Sequence, residues 1–236
     1  MKRNNFFQIT IFITGLIIAT NFFCQENRER TGMQKSEADI IRLPAPMFNS
    51  ETSVEEALSK RRSVRDYTSE PLSLMEVSQL LWAAQGITEK THSLKTAPSA
   101  GALYPLEVYL AAANVKDISA GLFKYDPGSH SLKKIVDGDK RQDISDASLR
   151  QDAIEECSAI IIITAVYERT SVKYGRRTER YVHMEVGHAG QNIYLQAVSL
   201  GIGTVMIGAF QDEALKKVLD LPANEFPLAI YPLGKI

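Results

Sequence analysis

The chain is poor in every residue type that builds a metal or thiol site. Of its 236 residues, two are cysteine and four are histidine. Cys24 closes an N-terminal apolar stretch, which leaves Cys157 alone in the rest of the chain. Neither a disulfide framework nor a zinc cluster can be assembled from that set. Cys157 precedes the apolar run Ser158–Ile163 and reads as a small buried hydrophobe, not a reactive thiol. His183 and His188 lie about 140° apart around a helix, so they cannot share a metal on one face. Excess positive charge is also missing. The net charge of −1 offers no electrostatic footprint for nucleic acid. The common glycine fingerprints are absent as well. There is no G-x-G-x-x-G after a strand and no G-x-x-x-x-G-K-[ST], which removes the usual dinucleotide and nucleotide loops. Without a G-x-S-x-G elbow or a Ser-His-Asp order, hydrolase chemistry lacks its parts.

A clear membrane span is missing too. Lys2 and Arg3 precede an apolar stretch from Phe6 to Phe23 that is broken by Gln8, Thr10, Thr14, Thr20 and Asn21. A basic start and a short apolar region read as an export signal. The stretch is near the lower length limit for a span. Residues 1–24 are therefore a cleaved signal peptide, a retained anchor or, through Cys24, a lipoprotein leader. Each of these implies an exported protein, periplasmic or at the cell surface, with membrane attachment in the last two cases. Residues 25–50 are polar, with Pro44 and Pro46 near their end, and read as a linker or extended arm. Residues 51–236 form the folded domain.

What is present begins with two helix starts. Ser53/Glu56 and Ser73/Glu76 both have the S-x-x-E spacing of a capping box. The first opens a helix from Val54 to about Lys60. The second opens one carrying Leu74, Val77, Leu80, Leu81 and Ala84, stopped by Gly86. Leu106–Ala113 reads as a strand. Leu122–Tyr125 and Leu132–Ile135 flank Asp126-Pro127-Gly128-Ser129 as a hairpin. Helices are expected near Asp139–Leu149 and Asp152–Cys157. The continuous apolar run Ala159–Val166 is a central strand. Thr178–Leu200 is the longest helix, with Gly187, Ala189 and Gly190 in its middle, small residues that permit close approach of a ligand or another helix. Thr204–Ile207 reads as a strand, Ala214–Leu219 as a helix and Leu228–Pro232 as the last strand. Mixed elements with a hairpin indicate α+β layering.

The densest chemistry lies just after the first helix, at Arg61-Arg62-Ser63-Val64-Arg65. A helix C-terminus attracts cations by its dipole alone. Three guanidinium forks beside a hydroxyl can also grip a phosphate or carboxylate through paired charge-assisted bonds. The residues by themselves leave both readings open.

Ala57–Arg65 resembles the flavin-phosphate motif of the nitroreductase family. Pro98-Ser99-Ala100-Gly101-Ala102-Leu103-Tyr104-Pro105 is similar to that family's second motif. Lys173-Tyr174-Gly175 through Gly187-His188, and Gly201-Ile202-Gly203, resemble its third region. The segments are most similar to the SagB-type dehydrogenase branch, which includes azoline oxidases of modified-peptide pathways. The resemblance spans roughly residues 53–236. It implies a three-layer α+β fold with a mainly antiparallel central sheet flanked by helices, FMN as cofactor, NAD(P)H as co-substrate, a small-molecule substrate and a homodimer.

By this resemblance Arg61, Arg62, Ser63 and Arg65 take the FMN phosphate. Pro98, Ser99, Ala100 and Gly101 lie beside the ring, often serving the flavin held mainly by the other chain. Backbone donors for the ring fall near Gly208 and Ala209, where family members commonly have Glu-Gly. The backbone role survives that change and the side-chain role is lost. Many relatives continue past the last strand and supply a basic residue to the phosphate; here Lys235 is the candidate substitute. Lys173 and Tyr174 match a pair implicated in substrate oxidation, or else sit in a solvated loop within Ser171–Arg180. Three functions are thereby set against one another: an NAD(P)H-driven reductase of electron-poor acceptors, an azoline dehydrogenase of modified peptides, and a flavin-binding module without turnover.

Overall fold

The computed structural model describes residues 39–236, and the candidate signal or anchor at residues 1–24 lies outside the described residues. Among the described residues no helix is long and apolar enough to cross a membrane. The helices are α1 (Val54–Lys60), α2 (Leu74–Gln85), α3 (Arg141–Ala147), α4 (Asp152–Glu155), α5 (Glu168–Tyr174), α6 (Thr178–Leu200) and α7 (Asp212–Val218). The strands are β1 (Ile40–Arg42), β2 (Ile87–Glu89), β3 (Leu94–Lys95), β4 (Leu106–Ala112), β5 (Gly121–Asp126), β6 (Ser131–Asp137), β7 (Ala159–Ala165), β8 (Ile202–Thr204) and β9 (Phe226–Lys235).

Seven of these strands form one sheet in the order β1-β6-β5-β4-β7-β9-β8, and β2 pairs with β3 alone. The pairings of β4 with β5 and β7, of β5 with β6, and of β9 with β7 and β8 are all antiparallel. The fold is therefore the expected α+β arrangement with a mainly antiparallel sheet.

Strand β7 shows why its sequence is an unbroken apolar run. Ala159, Ile161 and Ile163 enter the core packed with Leu80, Val182 and Ile193 of α2 and α6. Ile160 and Ile162 enter a second core with Ile144, Ile154 and Leu215 of α3, α4 and α7. Side chains alternate faces along a strand, so a sheet covered on both sides needs apolar residues at every position. Burying each isoleucine contributes about 1.5–3 kcal/mol. The result is three layers, helix–sheet–helix.

Both serines cap their helices. At α2 the box is reciprocal: the Glu76 N–H donates to Ser73 Oγ, and Glu76 Oε2 accepts from the Ser73 N–H at 2.8 Å. At α1 only half of the box forms. Ser53 Oγ accepts from the Glu56 N–H, while the Glu56 carboxylate turns to Lys60 at i+4.

Three local expectations change. The strand after α6 is Ile202–Thr204, not Thr204–Ile207; Ile207 meets Ile230 in an isolated bridge. The polar stretch around Lys173 is helical, and α5 is followed by a short 3₁₀ turn at Gly175–Arg177. The strands β1, β2 and β3 had no signal, being only two or three residues long. Burial pushes the Cys157 thiol up to about 12, as an inert core residue requires.

Candidate active site

The basic segment is held against the sheet edge by two glycines. The Val64 N–H donates to Thr204 O at 2.9 Å and the Thr68 N–H to Lys235 O at 2.8 Å. A Cβ at Gly203 would stand 2.8 Å from Val64 Cγ1, and one at Gly234 would stand 2.5 Å from Tyr67 Cγ. Bare backbone at both positions is what lets residues 61–68 lie across β8 and β9. Gly201 has its own task, closing α6 in the left-handed conformation at φ 65°.

Tyr194 of α6 organises this end, and no sequence signal pointed to it. The Arg61 guanidinium stacks on its ring at 5.2 Å. Its hydroxyl lies 3.2 Å from Ser63 Oγ and accepts the Met206 N–H at 2.8 Å. Tyr231 of β9 braces Tyr194 edge-on at 6.1 Å. Tyr231 fits only because residue 190 is glycine: a Cβ there would stand 2.0 Å from the Tyr231 hydroxyl. The small residues of α6 thus admit an aromatic ring of the sheet at Gly190, while Gly187 faces open space.

Among the described residues none of Arg61, Arg62 and Arg65 pairs with a carboxylate. Arg62 bends back to donate to Ser59 O and Arg61 O. Gly208 and Ala209 lie exposed just past Met206, and their N–H groups have no partner among the described residues. Unpaired cations, a hydroxyl and open backbone donors on one side of a fold suit a phosphorylated, polar-edged ligand. Lys235 is not part of this group. Its ammonium pairs with Glu76 at the start of α2, so the C-terminal lysine ties a helix cap to the sheet instead of offering an open charge.

The second group forms around the turn after β3. Residues 100–102 make a 3₁₀ turn in which Gly101 has φ 64°. Ala102 and Tyr104 are also left-handed, at φ 53° and 46°, and each such residue costs about 1–2 kcal/mol. Hydrogen bonds hold the turn in this shape. The Tyr104 N–H donates to Ser99 Oγ at 2.9 Å, the Lys95 N–H donates to the Tyr104 hydroxyl at 3.2 Å, and Arg169 Nη1 donates to Tyr104 O at 3.0 Å. Pro98 is exposed at the start of the turn. Lys173 and Tyr174, at the end of α5, close over Gly101. A Cβ there would stand 3.0 Å from both the Lys173 Nζ and the Tyr174 hydroxyl. Tyr174 also stacks edge-on with Tyr181 at 4.7 Å. The pair is thus packed on the turn and not loose in a loop.

Among the described residues no hydrogen bond, ion pair or ring contact joins the two groups within one chain. Tyr181 marks one and Tyr194 the other, and the helical rise separates them by about 20 Å along α6.

Comparison with known proteins agrees with this architecture. The nitroreductase family's profile matches residues 58–235. A nitroreductase homologue from Methanocaldococcus jannaschii is 46% identical over 197 residues, covering 84% of this chain and 98% of that one. The microcin B17-processing protein McbC of Escherichia coli is 25% identical over 171 residues, covering 70% and 63%. A crystal structure of a nitroreductase homologue from Ralstonia eutropha superposes with a TM-score of 0.75 at 28% identity, covering 84% of this chain and 89% of the other. The chain belongs to the nitroreductase family, whose members are oxidoreductases.

Proposed function

We propose that the protein is an FMN-dependent oxidoreductase that uses NAD(P)H to reduce electron-poor organic acceptors, and that it works as a homodimer with two shared sites. One observation carries the reading: an anion-binding cradle without a counter-ion packs on Tyr194 of α6, while the strained, glycine-centred turn packs through Tyr174 on Tyr181, thirteen residues or about 20 Å of helical rise earlier. A dimer lets the cradle of one chain meet the turn of the other. The exposed stripe Arg180, Met184, Gly187 and Gln191 along α6 is a suitable contact face for a second copy, because these residues repeat at helical spacing.

In this reading Arg61, Ser63 and Arg65 hold the phosphate, with Arg61 pre-set by its stacking on Tyr194. The Gly208 and Ala209 N–H groups serve the polar edge of the ring. Ser99–Gly101 from the partner copy supply a close, side-chain-free surface. The bound flavin supplies hydride acceptance and donation; the protein contributes binding, orientation and exclusion of water.

The test is the absorption spectrum of the purified protein, followed by NADPH under anaerobic conditions. Bound FMN that bleaches with NADPH and recovers with a quinone or nitroaromatic supports the reductase. Flavin that stays oxidised marks a binding module or an oxidase that draws its electrons elsewhere. A colourless protein that takes up no FMN removes the reading.

A second reading has its own support. Lys173 and Tyr174 are packed on the Gly101 turn, and the chain resembles a protein named for processing microcin B17. Both suit an azoline dehydrogenase that oxidises a cyclised peptide, with Lys173 or Tyr174 moving the proton.

A further inference from the structure

The backbone of Tyr104 is disfavoured twice. Its φ is 46°, in the left-handed region that side chains avoid. It also precedes Pro105, and the residue before a proline is pushed toward extended conformations. Strain of this kind persists only where the surrounding structure holds it, and it gathers at functional sites.

The holding structure is a chain of alternating charges that starts in the core. Two acids among the described residues are buried, Glu185 of α6 and Glu225 just before β9, each 2% exposed. Glu185 Oε1 has no hydrogen-bond partner among the described residues. Both oxygens of Glu225 are used: Oε1 accepts from the Thr164 hydroxyl of β7, and Oε2 accepts from Lys124 Nζ of β5 at 3.2 Å. Lys124 Nζ also lies 3.3 Å from Glu107 Oε2 of β4. Glu107 Oε1 accepts from Arg169 Nη2 at the start of α5, and Arg169 Nη1 donates to the Tyr104 carbonyl at 3.0 Å. One guanidinium grips a strand carboxylate and the strained backbone together, which needs its planar fork. An exposed ion pair is weak because two free side chains must be frozen for it. Here each member is fixed by the next, and the last is buried.

The same helix meets the other end of the turn. Arg169 and Lys173 are four residues apart and share a face of α5. Arg169 holds residue 104, while the Lys173 Nζ and Tyr174 hydroxyl stand over residue 101, each 3.0 Å from where a Cβ would be. The Val166 N–H, two residues before α5, donates to Pro105 O at 2.9 Å. Between these points the Ala102, Leu103 and Tyr104 N–H groups are bonded within the turn, to Ser99 O, Ala100 O and Ser99 Oγ. We propose that Arg169, held by Glu107, is a positioning residue: it locks the Tyr104 carbonyl and so fixes the Ser99–Tyr104 turn and the Lys173–Tyr174 end of α5 as one rigid wall of the substrate site. That the wall faces a substrate rests on the flavin reading; the lock itself does not.

Hydrogen exchange followed by mass spectrometry in the flavin-free full chain reads the lock directly. Arg169→Ala removes a charge-assisted bond, so peptides within 96–106 should exchange about tenfold faster or more, while peptides within 54–60 and 202–207 keep the wild-type rate. Glu107→Gln keeps the shape of the side chain without its charge. It should speed the same peptides by less and add nothing in the Arg169→Ala background, because it acts through Arg169; it decides the matter if Arg169→Ala does not fold. In FMN-loaded protein, Arg169→Ala should lower NADPH-driven kcat by about 10–10²-fold, as misplacement by an ångström can. FMN affinity should stay nearly unchanged, since Arg61, Ser63 and Tyr194 are untouched, and free guanidinium ion at millimolar concentration should restore part of the kcat. Unchanged exchange in both variants, or a rise spread equally over 54–60 and 202–207, overturns the lock. A local rise with kcat unchanged overturns its role at the site. A local rise in a protein that takes up no FMN strikes the flavin reading alone, and the lock stands.

Discussion

Adding a single methyl group at Gly190 tests the packing that supports the Arg61–Tyr194 end of the candidate site. In an ordinary helix interior, Gly→Ala stabilises by about 1 kcal/mol. At position 190 the new Cβ would stand 2.0 Å from the Tyr231 hydroxyl and 2.9 Å from its Cζ. Contact at van der Waals distance needs more than 3 Å or so, so the ring must move by about 1 Å. It has little room: Tyr231 is 1% exposed, sits opposite Ile161 in the sheet and abuts Tyr194. Overpacking of this kind costs typically about 1–3 kcal/mol, and 2.0 Å places this case at the upper end. After the helix gain is subtracted, Gly190→Ala should destabilise by about 1–2 kcal/mol. For a domain of this size that lowers Tm by about 2–8 °C. Displaced Tyr231 should also push Tyr194 away from Arg61 and Ser63, weakening FMN. Gly187→Ala is the comparison three residues earlier, where a Cβ meets nothing of its own chain within 4 Å; since Gly187 lies on the face proposed to meet a second copy, it is compared at protein concentrations low enough to keep the chains apart, where it should raise Tm by a few degrees. Tyr231→Phe removes the hydroxyl and should recover part of the loss in the double variant. The assay is thermal and urea unfolding of the four proteins, with FMN titration beside it. If Gly190→Ala raises Tm as Gly187→Ala does, the account of α6 packing is refuted.

Four further outcomes are expected. Arg61→Ala should weaken FMN at least tenfold, since charged hydrogen bonds contribute about 1.5–3 kcal/mol, while riboflavin binding stays nearly unchanged; equal losses for both ligands would remove the phosphate assignment. Lys173→Ala and Tyr174→Phe should alter NADPH-driven turnover of a quinone or nitroaromatic only a few-fold, because hydride exchange needs no base, whereas a peptide oxidase would lose about 10²–10⁴-fold with FMN still bound. Analytical ultracentrifugation of protein lacking residues 1–38 should show a dimer with FMN bound, and a monomer holding FMN tightly would end the shared-site reading. Glu185 should also leave a mark on stability. Its folded pKa is raised to about 7 against about 4.3 in the unfolded chain, so the folded state alone keeps that proton between those values. The stability it supplies is full below about pH 4 and lost as pH rises through 7. Urea midpoints of Glu185→Gln at pH 5 and 8 should differ less than those of the wild type; an equal difference contradicts the assignment.

Elements with a strong local cause were legible from sequence. The Ser73/Glu76 spacing placed the start of α2, where two residues satisfy each other's backbone. The unbroken run at Ala159–Val166 marked a strand covered on both faces, and Thr178–Leu200 was readable from its length and from Gly201. By resemblance, the motif order grouped Arg61–Arg65, Pro98–Gly101 and Gly208–Ala209 as one expected flavin site, which the titrations above test. Other features depended on partners distant in the chain. Glu56 could equally take its own cap or Lys60, and the i+4 lysine won. Lys235 could equally serve a ligand or Glu76, which is 159 residues away. The helix α5 has few apolar positions to reveal a period, so docking of Tyr174 on Tyr181 and Gly101 decides its role. Tyr194 carries no motif at all, and Glu185 lies within the third region without any role assigned to it there. Tyr194 acquires meaning only when Tyr231 of β9 packs against it over Gly190, and Glu185 only when the layers bury it. Local hydrogen bonding and side-chain alternation are written in neighbouring residues; which buried polar group faces which turn is settled only when the layers pack.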